Sequence, residues 1–179
     1  MRDGIAKYGD VFSKEYCKEL VDYYESNSEN AYQGGSTGDH LGYNLYLSEK
    51  KHVDFILEKI KEVLTEYVKD YTFANFSGDD GYLLRKIYGA TKFHANGLFG
   101  SHDDGKLRTV GLTIGLNNDY EGGEYEFPNQ ELTTTLQRGE VLIYPVYYTH
   151  PHTVSCPIGY RYVVHTYVNQ WMTKQFGLV

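Results

Sequence analysis

The chain has 179 residues, about the length of one domain, and 17 basic against 24 acidic side chains give a net charge of −7. That balance lacks the broad basic field that holds nucleic acid or an anionic membrane. At 41% hydrophobic and 23% charged the sequence is too apolar for a disordered tail, and it contains no run of about 20 apolar residues that would span a bilayer.

The expected organisation is a single domain over 1–179, with a helical bracing part at 1–72 and a β core at 82–171. Ser13 is a candidate N-cap, after which Tyr16, Cys17, Leu20, Val21 and Tyr24 fall on one helical face. Ser48 is the candidate cap of a second, longer helix in which Val53, Ile56, Leu57, Ile60, Val63, Leu64 and Tyr67 keep the same period. Residues 27–45, rich in Asn, Ser and Gly, read as a long connection. From residue 82 the period changes to two. Runs at 82–88, 109–116, 131–136, 140–144 and 160–168 read as short strands between turn residues, the pattern of a sandwich or barrel. Cys17 and Cys156 lie far apart with no C-x-x-C spacing, and the start lacks the apolar stretch of a signal peptide, so a reduced, cytoplasmic setting is expected.

The sharpest local pattern is Phe99-Gly-Ser-His102-Asp-Asp104. In an extended segment, residues two apart point the same way, so His102 and Asp104 present an imidazole and a carboxylate together. His152, 48 residues after Asp104, is the candidate third ligand. Two histidines and one carboxylate form the facial triad of non-haem iron(II) oxygenases, which leaves positions open for a chelating cosubstrate and dioxygen. Arg161, nine residues beyond His152, is placed to hold a distal carboxylate bidentately, with pairing to a surface carboxylate such as Glu140 as the competing assignment. Arg161, Val163 and His165 share a strand face, which makes His165 a candidate cosubstrate contact.

Taken in order, His102-x-Asp104, Arg108, Tyr120-Glu-Gly-Gly-Glu124, Gly139-Glu-Val-Leu-Ile-Tyr-Pro145, His152-x-Val154 and Gly159-x-Arg161 resemble the prolyl 4-hydroxylase-like branch of the 2-oxoglutarate and iron(II) dependent dioxygenases. The resemblance covers about half the chain, residues 82–171. It implies a double-stranded β-helix, a jelly-roll barrel braced by the N-terminal helices. It also implies iron(II) on His102, Asp104 and His152, the C5 carboxylate of 2-oxoglutarate on Arg161, and Tyr88 beside the cosubstrate. The implied reaction uses dioxygen, with ascorbate as a candidate accessory reductant, to hydroxylate a prolyl or other aliphatic C–H position in a peptide or small molecule, releasing succinate and carbon dioxide. The alternative is a cupin-like barrel that binds a metal or small acid without turnover.

The chain departs from those relatives at several points. His94-Ala-Asn96 copies the ligand motif with a neutral amide in place of the carboxylate and reads as a decoy. The link from Asp104 to Arg108 is short where protein-modifying relatives clamp their substrate, and Gly115 stands where a second cosubstrate tyrosine is usual. His150 competes with His152, but only His152 has Val two residues later and a basic residue nine later. Gly122-Gly123 reads as a hairpin turn, Glu121 and Glu124 as solvated, Trp171 as a packing anchor and Cys156 as a buried small hydrophobe. Residues 27–45 and 91–101 are expected to form a mobile rim over the barrel mouth.

Overall fold

The computed structural model describes residues 3–34, 42–72, 74–95 and 106–171, without the side chains of Lys106 and Trp171. The chain opens with β1 (Ala6–Tyr8) and then forms α1 (Lys14–Ser26), whose first turn is closed by the Ser13 hydroxyl oxygen accepting from the Tyr16 N–H at 3.1 Å. A single 3-10 turn leads to β2 (Tyr32–Gln33) and β3 (Gly42–Tyr46), followed by α2 (Lys50–Asp70). Next come β4 (Gly78–Asp79), β5 (Leu83–Ile87), β6 (Lys106–Gly115), β7 (Tyr125–Phe127), β8 (Leu132–Thr134), β9 (Val141–Pro145), β10 (Thr153–Val154) and β11 (Arg161–Trp171). Among the described residues no helix is long and apolar enough to cross a membrane.

The larger sheet runs in the order β1-β9-β6-β11-β5-β3-β2, with β4 paired to the far end of β11, and the smaller runs β10-β7-β8. All pairings are antiparallel. Alternation along each long strand of the larger sheet separates two cores. Leu112, Ile114, Val141, Ile143, Val164 and Leu84 pack against Cys17, Leu20 and Tyr24 of α1 and Ile56, Ile60 and Val63 of α2. Leu142 and Tyr144 instead meet Tyr125, Phe127 and Val154 of the smaller sheet. The result is the expected mainly β, two-sheet jelly roll with the helices on one face.

Several local expectations are corrected. Residues 27–45 are not one long connection. Tyr32 and Gln33 pair with Asn44 and Tyr43, and β3 in turn pairs with β5, so the part before residue 72 adds three strands to the sheet. The second helix is capped at Glu49 and not Ser48, and the Glu49 side chain makes no capping hydrogen bond. Gly122 and Gly123 lie at positive φ between the two sheets, because β7 pairs with β8 and β10 and not with β6, so they do not form a hairpin turn. Cys156 is exposed, in the link before Pro157. In the second rim segment, 91–95 is tied down: Thr91 N–H donates to the Val154 carbonyl at 2.9 Å, and His94 and His152 exchange backbone bonds of 3.0 and 2.8 Å. Residues 35–41, 96–101 and the Trp171 side chain lie outside the described residues.

Candidate active site

A cavity between the two sheets is lined by residues from β5, β6, β7, β9 and β11 and by the two histidines of the His94–His152 bridge. Strand register explains the set. Arg161 pairs with Ile87, Val163 with Arg85 and with Gly115, and His165 with Thr113, so these side chains share the inner face.

His152 is 2% exposed and packs against Tyr144, Phe127 and His94 at ring-centroid distances of 4.8, 5.2 and 4.6 Å. Its Nδ1 sits 3.1 Å from the His150 carbonyl, which assigns the proton to Nδ1 and leaves Nε2 as the nitrogen available to a metal. Burial, with the neighbouring His94 and His150 adding to it, lowers its pKa from 6.5 to about 4, so it is neutral at pH 7 as a metal ligand must be. His150 differs in that both ring nitrogens are engaged, Nδ1 with the Thr149 hydroxyl at 2.9 Å and Nε2 with the Asp3 carbonyl at 2.6 Å. Among the described residues no third metal-binding side chain joins His152 and His94. His102 and Asp104 lie outside the described residues, as does Asn96 of the decoy motif, whose His94 lines the cavity.

Arg161 is 1% exposed, and one of its terminal nitrogens donates to the Tyr125 hydroxyl at 3.0 Å. Its Nε has no hydrogen-bond partner. Burial opposes the guanidinium charge, the phenols of Tyr125 and Tyr120 favour it, and the second effect prevails. Glu140 does not pair with it, since that carboxylate lies 3.2 Å from Lys7 Nζ and accepts from the Gln137 N–H. Among the described residues no carboxylate lines the cavity with it, and an unsatisfied N–H on a buried cation carries the full cost of desolvation. His165 lines the same cavity, its Nδ1 3.0 Å from the Thr113 hydroxyl. Tyr88 does not join them. The strand's inward positions are Arg85 and Ile87, and Tyr88 turns to a separate groove on the helix side, its ring 6.1 Å from Tyr43 and 6.5 Å from Tyr160.

Sequence reasoning missed Arg85, Tyr125, Tyr144 and Tyr167, all of which line the cavity. Parity with Ile87 was the available signal for Arg85. At Gly115 a Cβ would lie 2.3 Å from the Gln137 carbonyl oxygen, so that strand position admits no side chain, while the phenol that bonds Arg161 is Tyr125 of the opposing sheet. Gly115→Ala is therefore expected to lower stability by about 1–3 kcal/mol through overpacking, read as a lower denaturation midpoint with unchanged slope. An unaltered midpoint would show that the Gln137 backbone gives way.

No family profile matches the sequence, and no curated protein sequence matches it. Its fold is that of the prolyl 4-hydroxylase-like 2-oxoglutarate oxygenases. The chain is similar to the viral collagen prolyl hydroxylase of Paramecium bursaria chlorella virus-1 in its 2-oxoglutarate complex, with a TM-score of 0.73 and 15% identity over 93% of this chain and 96% of that one. A Pseudomonas putida prolyl-4-hydroxylase gives a TM-score of 0.71 and 12% identity over 94% of each chain. A Trichoplax adhaerens prolyl hydroxylase bound to a peptide fragment of the hypoxia inducible factor oxygen degradation domain gives 0.69 and 12% over 93% of this chain and 83% of that one.

Proposed function

We propose that the protein is an iron(II) and 2-oxoglutarate dependent dioxygenase that hydroxylates a prolyl or other aliphatic C–H position in a peptide or small molecule. The observation that carries this reading is Arg161, a fully buried guanidinium with an unsatisfied Nε in the cavity that His152 also lines. The donor chemistry fits the metal: His152 is a neutral, oriented imidazole, and His102 and Asp104 supply the remaining ligands in this reading. Bound there, iron(II) supplies oxidative decarboxylation of the keto acid with dioxygen and oxidation of the substrate C–H bond.

The chain's own groups bind and orient. Arg161 and the Tyr125 hydroxyl, 3.0 Å apart, receive the distal carboxylate of 2-oxoglutarate and fix the acid's long axis toward His152. Tyr144 and Val163, each at most 3% exposed, wall the cavity from bulk water. His165, 3.0 Å from the Thr113 hydroxyl, is a further polar group on the Arg161 face.

The test is succinate and carbon dioxide formation on adding iron(II), ascorbate and 2-oxoglutarate, across proline-containing peptides and free amino acids. Succinate in stoichiometric excess over a no-metal control is expected, with some turnover even before the best substrate is found. Tight 2-oxoglutarate binding with no succinate under any condition would instead make the protein a non-catalytic acid-binding barrel.

A further inference from the structure

A second guanidinium faces the same cavity. Arg85 stands on β5 one register step from Arg161 on β11, and both belong to the inner face. Its Nε donates to the Asn44 Oδ1 at 2.9 Å, and Asn44 is a neutral amide that orients Arg85 without neutralising it. That arrangement is built. Asn44 is 7% exposed, and its Nδ2 lies 1.9 Å from where a Cβ on Gly34 would stand, so a side chain at 34 would push on the amide that holds Arg85.

Among the described residues no Asp or Glu lines the cavity, while two arginines do. Burial lowers the Arg85 pKa against the pull of the Tyr125, Tyr167 and Tyr144 phenols, and the Arg161 charge lowers it further. Arg161 is buried and Arg85 half-buried, and two like charges facing one cavity repel unless an anion enters between them. Arg85, Arg161 and Tyr125 line one cavity, in which Tyr125 already bonds Arg161 directly.

We propose that Arg85 is a second anion-binding residue of this cavity, acting with Arg161 and the Tyr125 hydroxyl on one carboxylate of a dicarboxylic acid, so that the site holds such acids without any metal. The identification of that acid with 2-oxoglutarate rests on the dioxygenase reading, while the anion site itself does not. It gives the pocket more positive charge than a single guanidinium provides, which favours dianions over neutral keto compounds of similar length.

The experiment uses the full chain stripped of metal by a chelator and titrated calorimetrically with glutarate, which has both carboxylates and no keto group to chelate iron. Wild type is expected to bind it, Arg85→Gln at least about tenfold more weakly, less than the roughly 30-fold that opens the range for a fully buried charge pair because Arg85 is half-buried, and Arg85→Lys between the two. Thermal unfolding of each variant controls for folding. The Arg85 Nε resonance of the wild type, which needs no substitution, is expected to shift as glutarate is added. Glutarate affinity in Arg85→Gln within twofold of wild type, or an unmoved Arg85 resonance at saturation, would overturn the proposal. Succinate formation, assayed separately, distinguishes the two readings. Loss of glutarate binding in Arg85→Gln in a protein that makes no succinate would support the anion site and sink the dioxygenase. Succinate production with unchanged Arg85→Gln affinity would do the reverse.

Discussion

Arg161→Ala is expected to raise the 2-oxoglutarate concentration for half-maximal turnover by about 30-fold to several thousand-fold. The range follows from the roughly 2–5 kcal/mol lost when one partner of a buried, hydrogen-bonded charge pair is removed, at about 1.4 kcal/mol per decade. The upper part of the range applies if the carboxylate stays trapped beside Tyr125 without its counter-charge. Metal affinity should hardly move, because Arg161 is not a ligand in this assignment. Arg161→Lys should recover part of the loss, since the charge survives and the fork that matches a carboxylate does not. Titrating 2-oxoglutarate against succinate formation, alongside metal binding to the same variant, checks both halves. An unaltered 2-oxoglutarate requirement would return Arg161 to a purely structural role.

His152→Ala should reduce succinate formation by more than about a hundred-fold, beyond the 10–100-fold typical of losing an outer hydrogen-bond partner of a metal ligand. The His150→Ala variant gives the contrast. Both nitrogens of His150 are spent on Thr149 and the Asp3 carbonyl, so its loss should loosen the N-terminal end and leave most of the turnover. His152 keeps one nitrogen uncommitted. Activity abolished in His150→Ala and retained in His152→Ala would reverse the ligand assignment.

The long strands were legible because burial on two unlike faces imposes alternation, as in β6, where Leu112 and Ile114 meet the helices while Thr113 meets the cavity. Strands of two or three residues, such as β1, β2, β7 and β10, carry too few positions to show a period, so the edge of the sheet and two of the three strands of the smaller sheet were invisible. Arg161 and His165 could be placed in the cavity by parity along one strand. The same parity puts Tyr88 outside and Arg85 inside, and the family resemblance outweighed it for Tyr88. Tyr125 could not be found from its own segment, since its role depends on Arg161 coming across from the other sheet. The proposed His102 and Asp104 ligands lie outside the described residues.

The position of β11 bears on how the protein is made. It lies between β6 and β5 in the sheet, yet among the described strands it is the last in sequence. A nascent chain that has not reached Arg161 holds two separate half-sheets, β1-β9-β6 and β5-β3-β2, each with an unpaired inner edge. Ribosomes add about 5–20 residues per second, so β5 waits roughly 4–15 s for its neighbour, during which the apolar faces of α1 and α2 have only part of their sheet to cover. Completion of the larger sheet thus waits for β11 and is dominated by distant pairings, which places folding in the millisecond-to-second class.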